Sequence, residues 1–492
     1  MSLKQFFTQK VASIFCTLLL GFSITSFAET TPQNCSDSFL SKHPHEVLGC
    51  YINTNNTQSW HLVKTEEKAN LEIFHYELTS QFWPPNNISN SGQYWHHQLD
   101  LIVPSEVKNS QSFLYITGGS NYDDNGNPID NSQRPLSYET QMMSNIATQF
   151  GSVVAVLHEV PNQYISFDDG VPRKEDGVIA YTWNRFMDDP IHGKYWPAHI
   201  AMAKAAVSAM NLVQAESKNQ KYVKPTHFVV SGASKRGWTT WLTALADNRV
   251  NAIVPMVIDI FNSQQNLQHI YKAYNAWPDA FNDYVQQGVA DRLSSPEATQ
   301  LFNIEDPASY MAMSKFRKRL SIPKLIINAS SDEFFPPDSL QQYIRFIPGH
   351  NLYRTEPNQT HSIQNSPDLS SLVSHFYQML LDQAKLPNLS WQPNYVNHTK
   401  VITTDFIPDG TVNLWHAYNP KKRDFRFETT DVKYKKSDFQ GGKCNQQTHT
   451  CTFILKDVGL EKGFIARFLE FNYHDSHGHS LSLTSPVFID QQ

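Results

Sequence analysis

The chain has 492 residues, of which 40% are hydrophobic, and a formal net charge of −6 at pH 7. This length exceeds one average domain and provides a sizeable core. The mild acidity argues against nucleic acid as a partner, because proteins that bind nucleic acids present basic surfaces.

The N-terminus has the order of features of a secretory signal peptide. Two lysines precede an apolar run at residues 11–24, and small residues follow before Glu29. This order predicts a signal peptide over residues 1–28 that is cleaved after Ala28. The run is short for a membrane span, and no later stretch of sequence is long and apolar enough to be one. We therefore expect an exported protein, periplasmic or secreted, without stable membrane insertion after signal removal.

The cysteine count fits an exported chain. Cys16 lies in the predicted signal peptide, so four of the five cysteines remain after cleavage. An even number predicts two disulfide bonds, for which three pairings are possible. We favour Cys35–Cys50 and Cys444–Cys451 because each pair brackets a short loop. No CxxC spacing occurs, so we expect no metal site.

Strand and helix patterns alternate through most of the chain, after a predicted hairpin at residues 71–78 and 94–103. The predicted core strands, continuous in apolar residues, are 113–117, 152–157, 227–230, 252–258, 322–328 and 351–354. The predicted helices are 138–149, 196–216, 238–246 and 366–385. Residues 29–60 and 158–195 are predicted to be irregular. This alternation predicts a mostly parallel sheet with helices on both faces.

The pattern changes near Trp391. Short alternating strands, separated by turns such as Asp409-Gly410 and Gly441-Gly442, follow to the end of the chain. This pattern is typical of a small β-sandwich. We therefore predict a β-sandwich-like domain at residues 391–492.

Residues 226–238, THFVVSGASKRGW, have the order of a nucleophile elbow. An apolar strand runs into a corner of small residues, and a helix pattern follows at once. Gly232 and Ser234 satisfy the first half of G-x-S-x-G, in which the serine occupies a strained turn. Arg236 stands where the second glycine is usual, and Gly237 comes one residue late. Ser234 is the candidate nucleophile.

The chain also supplies an acid and a base in the expected order. In α/β-hydrolases the catalytic residues come as Ser, then Asp or Glu, then His, and the acid and base each follow a strand of the sheet. Asp332 follows the strand at 322–328, and His361 follows the strand at 351–354. They are the candidate acid and base. Asp259 also follows a strand and is the alternative acid.

Other residues are candidates for contact with the substrate. Gly119 and the amide of Lys235 are candidate oxyanion donors. Arg236 is a candidate to bind an anionic group of the substrate, and the alternative for both cations is a structural salt bridge. Residues 260–320 are predicted to be a lid-like insertion. Its aromatic residues, Trp277 among them, either shape a substrate pocket or pack in the core.

Several of these stretches resemble the PhoPQ-activated pathogenicity-related protein family, exported proteins of α/β-hydrolase type that include autocrine proliferation repressor-like proteins. The matching segments are GASKRGWTTWLTA (232–244), IVPMVIDIFN (253–262), EDGVIAYTW (175–183), ITGG (116–119) and NASSDEFFPPDS (328–339). The resemblance implies that Ser234 is the nucleophile, Asp332 the acid and His361 the base. One branch is similar to dipeptidyl peptidases, which makes peptides a candidate substrate. A weaker resemblance to glucuronoyl esterases favours an ester that bears a carboxylate.

These observations predict an α/β-hydrolase domain at residues 29–390, which includes the insertion at 260–320, and the C-terminal domain at 391–492. The predicted activity is cleavage of an amide or ester in a small-molecule or peptide substrate through an acyl-enzyme, without a cofactor. The alternative is a catalytically inert hydrolase-like scaffold that acts as a secreted binding or virulence factor.

Overall fold

The computed structural model describes residues 34–54, 57–123 and 125–491. Residues Cys35–Gln492 form one compact unit. The predicted signal peptide at residues 1–28 lies outside the described residues. Within the described ranges, no helix has both the length and the apolar character needed to span a membrane.

A mixed sheet of nine strands forms the centre of the molecule. In chain order the strands are β1 (Ser59–Lys68), β2 (Leu71–Trp83), β3 (Gln93–Pro104), β4 (Gln111–Ile116), β5 (Val154–Leu157), β6 (His227–Ala233), β7 (Val250–Met256), β8 (Lys324–Ala329) and β9 (Asn351–Glu356). Their order in the sheet is β1-β2-β3-β5-β4-β6-β7-β8-β9. Strands β1, β2 and β3 are antiparallel to their neighbours. The other six strands, β4 to β9, are mutually parallel. This is the α/β-hydrolase fold, as predicted.

Helices cover the sheet on both faces. As a result, every residue of the central strand β5 is buried, and so are all but the end residues of β4 and β6. The longer helices are α1 (Val47–Thr54), α2 (Tyr138–Phe150), α3 (Asp176–Asp188), α4 (Ala198–Glu216), α5 (Lys235–Ala246), α6 (Ser263–Tyr274), α7 (Pro296–Glu305) and α8 (Leu369–Leu381). Helix α4 packs against α5, and α2 packs against α8. Helices α6 and α7 lie in the long connection between β7 and β8.

Two antiparallel sheets make up the C-terminal part. Their strands are β10 (Leu389–Asn394), β11 (Thr399–Thr404), β12 (Asn413–Asn419), β13 (Lys435–Asp438), β14 (Gly442–Asn445), β15 (Thr450–Lys456), β16 (Phe464–His474), β17 (Ser480–Thr484) and β18 (Phe488–Gln491). One sheet has the order β10-β11-β15-β14, and the other has the order β13-β12-β16-β17, with β18 also paired to β16. The rings of Phe453 and Phe471 meet between the sheets at 5.0 Å. The division into domains at residues 29–390 and 391–492 stays a prediction.

Both favoured cysteine pairs are disulfide-bonded in the structure. Cys35 is bonded to Cys50 in α1. Cys444 and Cys451 are bonded across the β14–β15 hairpin, where they are opposite each other in the register. Each bond closes a short local loop.

Two regions that we predicted to be irregular contain regular structure. Residues 29–60 include helix α1 and the start of β1, and residues 158–195 include helix α3. Helix α3 buries apolar residues at helical spacing, including Ile179, Trp183 and Phe186. The acidic and aromatic residues around them obscured this period, and α1 is too short to show one.

Candidate active site

Ser234 lies alone between the end of β6 and the start of α5. Its backbone has φ of 58° and ψ of −129°, a strained conformation for a residue with a side chain. A Cβ atom added at Gly232 would lie 2.7 Å from the carbonyl oxygen of Arg236, and one added at Gly237 would lie 2.7 Å from Cγ2 of Ile258. The close approach of helix to sheet therefore falls at Gly237, which explains why the second glycine comes one residue late.

The structure brings the three predicted catalytic side chains together. His361 Nε2 lies 2.7 Å from Ser234 Oγ, and His361 Nδ1 lies 2.9 Å from Asp332 Oδ2. Asp332 is buried, and its Oδ1 accepts the backbone N–H groups of Phe334 at 2.7 Å and Phe335 at 3.1 Å. With the Nδ1 proton directed at Asp332, Nε2 faces the serine as an acceptor, which is the geometry of a Ser-His-Asp triad.

The loop that carries His361 is held by a second carboxylate. The backbone N–H of His361 donates to Glu333 Oε2 at 2.7 Å. Asp332 and Glu333 are adjacent, so the turn after β8 both orients the imidazole ring of His361 and holds the backbone of that residue.

Asp259, the alternative acid, has other partners. It is buried and accepts hydrogen bonds from Asn328 Nδ2 at 2.9 Å and from the Tyr343 hydroxyl. Burial raises the pKa of Asp259 to about 7. The carboxylate that contacts the imidazole is that of Asp332.

An open cleft of 640 Å³ lies on one side of Ser234, and Gly119, Arg134 and His361 line it. Gly119, with φ of +137°, thus lines the same cleft as Ser234. Lys235 is the first residue of α5, and the amides of a first helical turn have no acceptor within their own helix. The role of Gly119 and Lys235 as oxyanion donors stays a prediction.

The two cations after Ser234 are paired with carboxylates. Arg236 Nη2 lies 2.6 Å from Glu175 Oε1, and Lys235 Nζ lies 2.8 Å from Glu175 Oε2 and 3.1 Å from Asp176 Oδ2. Burial raises the pKa of Glu175, but Arg236 and Lys235 outweigh burial and hold that pKa below its ordinary value. The structure therefore contains the salt bridge that was the alternative role of both cations. Arg236 still borders the cleft, but as a neutralised cation.

Ser234 also lines a second, much smaller pocket of 40 Å³. Its wall is mainly aromatic and includes Trp183, Trp238, Phe281, Tyr284, Phe334 and Phe335. Trp277 is not part of this wall. It stacks on Phe281 with ring centroids 5.3 Å apart. Phe281 and Tyr284 are therefore aromatic residues of the insertion that line the pocket, and Trp277 packs against Phe281.

The chain is similar to one protein family in sequence and to several esterases of known structure. The profile of the family described as PhoPQ-activated pathogenicity-related protein matches residues 48–426. Autocrine proliferation repressor protein A of Dictyostelium discoideum is 36% identical over 466 residues, which cover 90% of each chain. Among solved structures, acetyl xylan esterase 1 from Thermoanaerobacterium sp. JW/SL YS485 is 14% identical, with a TM-score of 0.43 over 69% of this chain and 93% of that one. An acetyl xylan esterase from Paenibacillus sp. R4 is 16% identical, with a TM-score of 0.42 over 71% and 96% of the two chains.

Proposed function

The chain belongs to the PhoPQ-activated pathogenicity-related protein family, and we propose that it is an exported serine hydrolase that cleaves an ester or amide bond. The observation that carries the proposal is the unbroken contact from Ser234 Oγ to His361, at 2.7 Å, and from His361 to Asp332, at 2.9 Å. A strained serine at the end of a central strand supports it, because such a turn exposes the nucleophile above the sheet.

In the proposed reaction Ser234 Oγ attacks the carbonyl carbon while His361 accepts its proton. Asp332 holds the imidazole in the required tautomer and stabilises its positive charge. The amides of Gly119 and Lys235 stabilise the oxyanion, and loss of one such donor costs on the order of 10²–10³-fold in kcat. His361 then returns the proton to the leaving group, and water hydrolyses the acyl-enzyme by the reverse sequence.

The two spaces beside Ser234 support a division of the substrate. The pocket of 40 Å³ holds only a group of a few atoms, whereas the cleft of 640 Å³ accepts a bulky one. We assign the acyl group to the small aromatic pocket and the leaving group to the cleft. The favoured substrate then carries a short acyl chain, and its leaving group is a larger small molecule or a peptide.

The location that we propose is the periplasm or the exterior. Two disulfide bonds support it, because such bonds form and persist in oxidising compartments. A net charge of −6 does not favour nucleic acid as a partner.

A second candidate function is binding by a hydrolase-like scaffold, as a secreted signal or virulence factor. The relative named autocrine proliferation repressor protein A favours it, because that name describes control of growth and not catalysis. In that case the C-terminal sheets are the contact surface.

A fluorophosphonate probe separates the two candidates. We expect labelling of the wild type and its loss in Ser234→Ala. Ser120→Ala is the matched control, because Ser120 lines the same cleft and its hydroxyl bonds to the carbonyl oxygen of Tyr122 at 2.7 Å. Absence of labelling in wild-type protein with a native circular dichroism spectrum would favour the scaffold.

A further inference from the structure

The turn between β16 and β17 concentrates histidine and aspartate. Residues 474–479 read HDSHGH. One ligand atom each from Asp475, His477 and His479 lies within 4.8 Å of the other two. Asp475 Oδ2 is 2.8 Å from His479 Nδ1 and 3.9 Å from His477 Nδ1. Three metal-binding side chains thus converge on one point.

The backbone of the turn orients Asp475 toward the histidine rings. Its Oδ1 accepts the backbone N–H groups of His477 at 2.8 Å and His479 at 3.0 Å. The backbone N–H of Asp475 in turn donates to the carbonyl oxygen of His479 at 3.0 Å. One carboxylate oxygen is therefore used by the turn, and the other is directed at the imidazoles.

His479 lies between two carboxylates. It is buried, with Nδ1 2.8 Å from Asp475 Oδ2 and Nε2 2.9 Å from Asp382 Oδ2. The two carboxylates fix the orientation of the ring, so that Nδ1 faces Asp475 and Nε2 faces Asp382.

We propose that Asp475, His477 and His479 bind a divalent cation of the zinc class. A tetrahedral zinc ion with ligands at about 2.0–2.2 Å sets those ligands about 3.3–3.5 Å apart. The observed separations of 2.8 and 3.9 Å bracket this value, and His477 is exposed and free to adjust. Three protein ligands leave a fourth position for water.

Asp382 is a positioning residue for this site. Histidines that bind metal through one nitrogen usually donate the other N–H to a carboxylate, which fixes the ring and its tautomer. Asp382 caps the C-terminal end of α8 and contacts His479 Nε2. The metal would thereby connect the β16–β17 turn to helix α8, a role separate from the chemistry at Ser234.

Isothermal titration of zinc chloride into tag-free, chelator-treated mature protein tests the site. We expect one zinc ion per chain, with affinity reduced at least 10-fold in His477→Ala and about 10–100-fold in Asp382→Asn. His192→Ala is the matched control, because His192 is also exposed and lies 3.0 Å from Asp189, but that pair has no third ligand. It should bind zinc as the wild type does.

Thermal unfolding provides a second measurement. A ligand that binds only the native state raises the melting temperature, so zinc should stabilise the wild type and His192→Ala by equal amounts and His477→Ala by less. The proposal is overturned if the wild type binds no zinc. Equal affinity in His477→Ala and the wild type would also overturn it.

Discussion

The imidazole ring of His361 is held between two side chains that are distant from it in the sequence. Asp332 contacts its ring at 2.9 Å, and Ser234 lies at 2.7 Å on the other side. These three residues could be predicted, because chain order and strand ends are visible in a sequence. Glu175 could not be predicted as the partner of Arg236, because only the fold brings residues so distant in the chain together.

The choice of acid can be tested with two matched carboxamide substitutions. We expect Asp332→Asn to lower kcat by about 10³–10⁴-fold, because the amide stabilises the wrong tautomer of His361. Asp259→Asn should lower kcat by less than about 10-fold. The pKa of Asp259 is raised to about 7, so its carboxyl is substantially protonated near neutral pH and an amide resembles it. Steady-state kinetics with an activated ester measures both, and a larger loss in Asp259→Asn would contradict the assignment.

At the level of elements, the insertion between β7 and β8 lines the small pocket beside Ser234. It contributes Phe281 and Tyr284 to the small pocket, while Phe334 and Phe335 come from the turn after β8. The aromatic content of the insertion was evident from the sequence. The sequence did not indicate which of these rings lines the pocket. The stacking of Trp277 on Phe281 depends on how the short helices of the insertion fold back.

Enlarging the small pocket should change the preference for acyl length. In the wild type we expect a higher kcat/KM for p-nitrophenyl acetate than for the hexanoate. Phe281→Ala should shift the hexanoate-to-acetate ratio upward on the order of 10-fold, since a few methylene groups are then accommodated. Trp277→Ala is the control and should shift the ratio less. A ratio that Phe281→Ala leaves unchanged would contradict the placement of the acyl group.

At the level of the whole molecule, a buried ion pair joins the central sheet to the C-terminal sheets. Arg354 in β9 lies 2.9 Å from Glu470 in β16 and donates to Ser482 Oγ at 2.7 Å. The alternating pattern of the C-terminal strands predicted two sheets, and the structure contains them. Their attachment was not predictable, because an arginine within a strand reads as an edge or surface residue until its partner is known.

Loss of this pair should destabilise the protein. We expect Glu470→Ala to lower the free energy of unfolding by about 3 kcal/mol, because it leaves the buried Arg354 with Glu356 at 3.1 Å and the exposed Asp368 at 3.8 Å as its remaining carboxylates. Lys385→Ala is the control, since Lys385 is exposed in its pair with Asp405 and should contribute about 0–1 kcal/mol. Urea denaturation measures both values. Equal stabilities of the two variants would show that the junction does not depend on Arg354.

The displaced glycine at position 237 has a consequence for how such turns are recognised. A glycine is needed where the helix crosses closest to the sheet, and here the carbonyl oxygens of Gly232 in β6 and Met256 in β7 lie 3.0 Å from the place where a Cβ would be. That contact is a property of three-dimensional spacing, and it tolerates a shift of one residue along the chain. A search for the five-letter signature would pass over this elbow, whereas a search for the serine's backbone angles and its neighbouring imidazole would find it.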